Sequence, residues 1–168
     1  MNRERTITTV SRVIAAMALA CASGCANFSA IAPGDSAQSV TDRVGKPVTV
    51  WTNSDGSELW QYPQGYYATQ TFMVTVDPDR RVRDVHQALS EEYFSQVRAG
   101  MSRDDVHRLL GRPREVWYFP PRDEEVWVWR YYDTSYMFFN VLFNRTKNTV
   151  RTVQRLEEVP PPSGGQRN

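Results

Sequence analysis

The stretch GMSRDDVHRLLGRP, Gly100 to Pro113, decides how the rest of the chain is read. Ser102 stands where a helix N-cap belongs, and Asp105, three residues on, can close a box-like cap. Asp104 and Asp105 fall in the first turn, where the helix dipole favours carboxylates. Val106, Leu109 and Leu110 form an apolar face at helical spacing. Gly111 can adopt the left-handed backbone that ends a helix, and Pro113 prevents its resumption. Upstream, Ser90 is the expected cap of a shorter helix, EEYFSQVR, which runs into Gly100.

Sixty-six residues earlier the chain reads GDSAQSVTDRVGKP, Gly34 to Pro47. At that offset Phe28–Pro47 aligns with Phe94–Pro113 without a gap, and the identities are Phe28/Phe94, Ser29/Ser95, Gly34/Gly100, Ser36/Ser102, Val40/Val106, Gly45/Gly111 and Pro47/Pro113. These are mostly residues that punctuate helices. The pattern predicts an internal repeat, with Gly34 and Gly100 as hinges between two short helices in each copy.

After each proline the period changes from helix to strand. Glu115–Phe119, Glu124–Tyr132, Tyr136–Asn144 and Thr149–Arg155 are rich in Val, Trp, Tyr and Phe and are broken by PPRD, DTS and NRTKN. Val48–Trp51, Glu58–Tyr62, Thr71–Asp77 and Arg81–His86 occupy the same order in the first half. The expected fold class is therefore α+β: two tandem helix–helix–β-meander modules, with short helices packed on one face of an antiparallel sheet of up to eight strands. The other face is left for solvent or a partner.

The N-terminal residues are set aside before fold reasoning. Arg3, Arg5 and Arg12 precede a short apolar run, VIAAMALAC, and then A-S-G-C at Ala22–Cys25. The run is too short to span a bilayer, which takes roughly 20 residues. The pattern resembles a bacterial lipoprotein signal, which implies acylation of Cys25 and removal of residues 1–24. Cys21, preceded by A-L-A, is the alternative, and a plain secretory signal cut near Ala26 is another. The expected organisation is residues 1–24 as signal, 25–89 as the first module, 90–157 as the second, and 158–168, ending PPPSGGQRN, as a disordered tail too poor in apolar residues to fold.

Composition bounds the function. The chain has 168 residues, 40% hydrophobic and 23% charged, with five Trp, eight Tyr and seven Phe, enough for a core without staples. Formal net charge is +1, so no strong field points to nucleic acid. Both cysteines precede residue 26, which excludes a disulfide framework or a thiolate metal site in the body. His107 has no ligand partner at matched spacing and is expected as a solvated helix residue. His86 follows a strand alone, so neither histidine makes a metal site or a base for a nucleophile. The carboxylate pairs sit at turns and helix starts, and no catalytic residue, metal or cofactor is expected.

The motif G-M-S-x-x-x-V-x-x-L-L-G-x-P, followed by W-x-Y and a meander, resembles the SmpA/OmlA (BamE-like) outer-membrane lipoproteins. The resemblance covers about residues 26–157. Tandem modules also resemble the β-lactamase inhibitor proteins. The first resemblance implies a non-catalytic scaffold in outer-membrane integrity or β-barrel assembly, held by lipid on the periplasmic face of the outer membrane. Ala26, rather than the Asp of inner-membrane retention, is consistent with that placement. The second implies an inhibitor or regulator of an envelope enzyme.

Aromatic residues are the one feature with functional promise. Trp127, Trp129 and Tyr131 share a strand face by alternation. Part of the aromatic set must be core, above all Trp60 and Trp129. The expected protein-binding candidates are Trp117, Tyr118, Trp127, Tyr132, Tyr66 and Tyr67, and the expected structural positions are Gly34, Gly45, Pro47, Gly100, Gly111 and Pro113. The expected partner is an envelope protein, with the membrane met through the lipid and no small-molecule substrate evident.

Overall fold

The computed structural model describes residues 28–65 and 68–159. Cys21, Cys25, the signal and the tail from Pro160 lie outside the described residues, as do Tyr66 and Tyr67. In order, the elements are α1 (Ala37–Val44), β1 (Thr49–Thr52), β2 (Glu58–Gln64), β3 (Gln70–Val76), β4 (Val82–Gln87), α2 (Glu91–Phe94), α3 (Arg103–Leu110), β5 (Glu115–Phe119), β6 (Glu124–Tyr132), β7 (Tyr136–Asn144) and β8 (Thr149–Glu157). Strands β1–β4 form one antiparallel meander and β5–β8 another.

This corrects the expected architecture. The described protein is mostly β, two separate four-stranded sheets with three short helices, and the sheets do not join into one of eight strands. Among the described residues the helix pairs are also missing. Phe28–Ala30 is a single 3-10 turn, and the helix expected from EEYFSQVR is only the four residues of α2, with no side-chain cap from Ser90. An internal repeat of whole helix–helix–sheet modules is therefore not supported. The physical reason lies in length. Helix nucleation is costly, and a short segment with one apolar turn stays helical only where a sheet covers it.

What the two halves do share is local. Helices α1 and α3 each span eight residues and are capped by Ser36 and Ser102, whose hydroxyls accept from the amides of Ser39 and Asp105. Only α3 has the full capping box, because Asp105 Oδ2 also accepts from the Ser102 amide at 2.9 Å. Each cap is stitched to its own sheet: Gly34 N–H donates to Val82 O at 2.8 Å, and Gly100 N–H donates to Val150 O at 2.9 Å.

Helix α1 buries Ala37 and Val40 against Trp60, Tyr62, Val74 and Val76 of the first sheet. Phe94 of α2 and Val106 and Leu110 of α3 pack on Trp127, Trp129, Phe139, Val141 and Phe143 of the second. Each fully buried side chain of this kind contributes about 1.5–3 kcal/mol. The other face of the first sheet is covered as well. By alternation Gln61, Thr71, Met73 and His86 point away from α1, and Met73 is fully buried. Arg108 of α3 donates to Asn53 Oδ1 at 2.9 Å, His86 stacks on Tyr93 of α2 at 4.4 Å, and Gly111 lies against Gln61. The layers thus run α1, first sheet, α2 with α3, second sheet, and the second sheet's far face has no layer beyond it among the described residues.

Candidate functional site

That far face is built by alternation along four strands. Register places Trp117 opposite Val126 and Leu142 on one line, and Glu115 opposite Val128 and Asn140 on the next. Further along, Arg130 pairs with Phe138, and Tyr132 with Tyr136. The face is apolar at its centre and exposes large apolar side chains at its edges: Trp117 is 53% exposed, Tyr132 61% and Leu156 51%. Aromatic edge residues of this size, left in water, mark an interaction surface rather than a core.

The middle of the face is concave. A cavity of about 500 Å³ is walled by Trp117, Phe119, Val126, Phe138 and Leu142, with Asn140 among its lining residues. Asn140 is buried, and its Oδ1 has no hydrogen-bond partner. Charged groups also line it. Glu124 is buried and ion-paired with Arg151, and Glu115 accepts from Arg114 Nε at 3.1 Å. Arg122 lines the same cavity and has no ion-pair partner among the described residues. At one end Arg130 Nη2 meets Glu158 at 2.6 Å and its guanidinium stacks over Tyr136 at 3.8 Å, which ties the last strand's end to the sheet. A second, smaller cavity of about 240 Å³ lies in the seam between the sheets, lined by Gln61, Thr71, Pro113 and Trp129.

The sequence-predicted binding residues divide three ways. Trp117 and Tyr132 are exposed on the open face. Tyr118 is exposed but lies on the opposite face, paired across from Glu125, with Arg145 5.6 Å from its ring. Trp127 is a correction: it is 4% exposed in the core, where it stacks under His107 at 4.1 Å and donates to Glu125 at 2.5 Å. Residues at odd positions of β6 face α3, so a tryptophan there is core. His107 is corrected with it. It is a half-buried partner of Trp127 rather than a solvated residue, and burial holds its pKa below 6.5, assisted by the nearby Arg112. Burial works to raise Glu125, but the hydrogen bonds from Arg103 and Trp127 outweigh it, and its carboxyl is held below the usual range.

Sequence reasoning missed Asn140, Phe138, Leu142 and Arg122. The signal for the first three was present in β7, where Phe138, Asn140 and Leu142 alternate against Phe139, Val141 and Phe143. Both sets carry large apolar residues, Phe138 and Leu142 against Phe139, Val141 and Phe143, and one asparagine does not decide which set meets the helices. The structural positions are placed more simply. Gly34, Gly45, Gly100 and Gly111 all have positive φ, and Pro47 and Pro113 follow the two helix ends. Among the described residues no group of three His, Cys, Asp or Glu side chains is placed to hold a metal, and no helix is long and apolar enough to cross a membrane.

No protein-family model and no curated protein sequence matches the chain. Solved structures similar to it include an extracellular SCP-domain protein of Bacillus anthracis, at 12% identity over 94% of this chain and 50% of that one, with a TM-score of 0.30. A cysteine-rich secretory protein of Staphylococcus aureus is similar at 12% identity over 75% of this chain and 44% of the other, with a TM-score of 0.29. The chain spans about half the length of these structures, and at such scores the likeness carries no argument about fold or activity. The resemblances to SmpA/OmlA (BamE-like) lipoproteins and to the β-lactamase inhibitor proteins are corrected here. No family model matches, and the described residues form two separate four-stranded sheets in place of paired helix–helix–sheet modules. A fourteen-residue helix-capping pattern is set by general capping chemistry, so unrelated chains arrive at it.

Proposed function

We propose that the protein is a non-catalytic, lipid-anchored envelope protein that binds another protein through the open face of the β5–β8 sheet. The observation that carries this reading is the contrast between sheets. Both faces of the first are covered, whereas the second keeps an uncovered face with a concave apolar centre and exposed Trp117 and Tyr132. Large aromatics over a desolvated centre are what hot spots of protein interfaces are made of. The barrel-assembly role rested on the corrected family resemblance and is dropped with it. The anchor rests on A-S-G-C at Ala22–Cys25, and Ala26 after the cysteine supports the outer membrane, periplasmic side, as its address. An acylated Cys25 holds the chain to a bilayer by about 0.8 kcal/mol for each buried methylene.

Photo-crosslinking in the native host tests the binding reading. A crosslinking amino acid in place of Trp117 or Tyr132 is expected to trap one and the same protein. The same group in place of Gln38, exposed on α1, is expected to trap none. Equal trapping from all three positions removes the reading. A single stoichiometric enzyme as the trapped species would make the protein a regulator of that enzyme. Mass spectrometry of the N-terminal peptide tests the anchor: an unmodified Cys25 and Cys21 in the mature protein refutes it.

A further inference from the structure

The cavity on the open face has three features that a bound group must answer together, and they narrow what the partner presents. This inference rests on the protein-binding reading above. The first feature is size and wall chemistry. About 500 Å³ bounded by Trp117, Phe119, Val126, Phe138 and Leu142 is within the range of specific ligand pockets and admits one large ring. Aromatic walls favour an aromatic guest, which gains edge and face contacts beyond its buried area.

The second feature is an unanswered acceptor. Asn140 is 8% exposed and its Oδ1 has no partner, although buried polar atoms are nearly always bonded. The amide turns about χ2 in a broad, shallow potential. A guest that brings an N–H therefore satisfies a group that is otherwise a standing cost. A phenyl ring offers no donor, whereas an indole N–H is a donor only. The third feature is an unbalanced charge. Of the ionic groups lining the cavity, Glu115 and Glu124 have counter-ions and Arg151 is one of them, while Arg122 has none among the described residues. The rim is left with one positive charge to be met.

We infer that the partner inserts a tryptophan side chain into this cavity, its indole N–H donating to Asn140 Oδ1, with an acidic residue beside it in the partner's sequence meeting Arg122. Tryptophan is also the residue that most often anchors a protein interface from a desolvated pocket. Charge complementarity at Arg122 selects an acidic neighbour over a basic one.

The probes are three short peptides titrated into the purified full chain: N-acetyl-Asp-Trp-amide, N-acetyl-Asp-Phe-amide and N-acetyl-Lys-Trp-amide. NMR reads the Asn140 side-chain amide and the Leu142 methyl groups. The Asp-Trp peptide is expected to shift both signals and to bind about threefold to tenfold more tightly than the Asp-Phe peptide. The Lys-Trp peptide is expected to bind about twofold to fivefold more weakly than Asp-Trp, and less so at high salt. Asn140→Leu removes the acceptor while keeping the volume. It is expected to fold, with an unchanged or raised unfolding midpoint, and to bind the Trp and Phe peptides equally. Equal binding of those two peptides by the unaltered chain overturns the inference, as does a shift absent from Asn140 and Leu142 at millimolar peptide. Self-association that protects the same signals also overturns it, because the face then belongs to a second copy. If the peptides fail while Trp117 and Tyr132 still crosslink to one protein, the binding reading stands and only the tryptophan anchor falls.

Discussion

Gly45 and Gly111 end the two eight-residue helices with nearly the same backbone, φ +84° and ψ −172° in one, φ +77° and ψ −173° in the other. Their surroundings are opposite. A side chain at Gly45 would meet nothing within 4 Å, whereas at Gly111 its Cβ would come within 2.6 Å of Gln61 Nε2 and 3.0 Å of Thr71 Cγ2. The same turn is thus a free surface in one half and the seam between sheets in the other. The difference runs through the whole molecule. The face of the first sheet that carries Gln61, Thr71 and Met73 is closed by α2, α3 and Gly111, and the matching face of the second sheet is left open. One helical layer between two sheets covers three of the four sheet faces with the help of α1, and nothing among the described residues remains for the fourth.

The sharpest way to break this contrast is to cut into both faces. Met73→Ala, on the closed face, is expected to cost about 2–5 kcal/mol, because a fully buried side chain leaves a cavity behind. Trp117→Ala, on the open face, is expected to change stability by no more than about 0.5 kcal/mol while abolishing crosslinking from position 132. Denaturant unfolding gives both values. A Trp117→Ala loss as large as that of Met73→Ala would mean the open face is structural.

The two glycines come next. Gly45→Ala is expected to cost about 1–3 kcal/mol, because φ +84° with ψ −172° is a backbone that essentially only glycine adopts. Gly111→Ala carries that strain plus displacement of the buried Gln61 side chain and is expected to cost about 1–2 kcal/mol more than Gly45→Ala. Equal losses, read as unfolding midpoints, would show that Gln61 gives way freely and that the seam is loose.

How much of this was legible in the sequence follows from the range of each interaction. The cap at Ser102, the stop at Gly111 and all eight strands are local. Capping chemistry, a glycine at positive φ and β-rich runs between turn residues mark them within a few positions. The second half's strands were readable nearly to the residue, since PPRD and DTS break them cleanly. The helix read from EEYFSQVR was not legible as four residues, because its length is set by where Phe94 meets Tyr131 and Phe139. The site was half legible. Exposure at Trp117 and Tyr132 depends on which face of β5 and β6 the helices choose. Trp127, at the same alternation as Trp129, shows that an aromatic residue in a strand does not announce its face. Asn140 was invisible, since its orphan oxygen is a property of the packed sheet.

The caps offer a smaller test. Ser36→Ala and Ser102→Ala are each expected to cost about 1 kcal/mol, with the larger loss at Ser102, where Asp105 Oδ2 also loses the hydroxyl that donates to it and keeps only the backbone amide of residue 102. Those bonds from Ser102 hold the Asp105 carboxyl below 3.8. A depressed carboxyl stabilises the fold above its unfolded value and loses that contribution as pH falls through the folded one. The difference between Ser102→Ala and the unaltered chain is therefore expected at neutral pH and to shrink below about pH 3.8. A difference that does not change with pH would mean the box contributes through the hydroxyl alone.

The smallest expected effect separates the halves by pH. In α3, His107 lies over Trp127, and burial first, then Arg112, holds its pKa below 6.5. Its counterpart sixty-six residues earlier is Thr41, which cannot titrate. The unfolded chain binds a proton at His107 more readily than the folded one, so stability rises with pH through the window just below 6.5 and falls as pH drops through it. The carboxyls are the same in the His107→Gln variant, so comparing the two proteins isolates the histidine's slope. Between pH 7.5 and pH 5 the unfolding midpoint of the unaltered chain is expected to fall further than that of His107→Gln, by a few degrees at most, as measured by calorimetry at matched ionic strength. His86, hydrogen-bonded to Asp84 at 2.7 Å and stacked on Tyr93 across the seam, is the same in both proteins and cancels in the difference. Parallel midpoints across that range would place His107 in water and undo its stacking on Trp127.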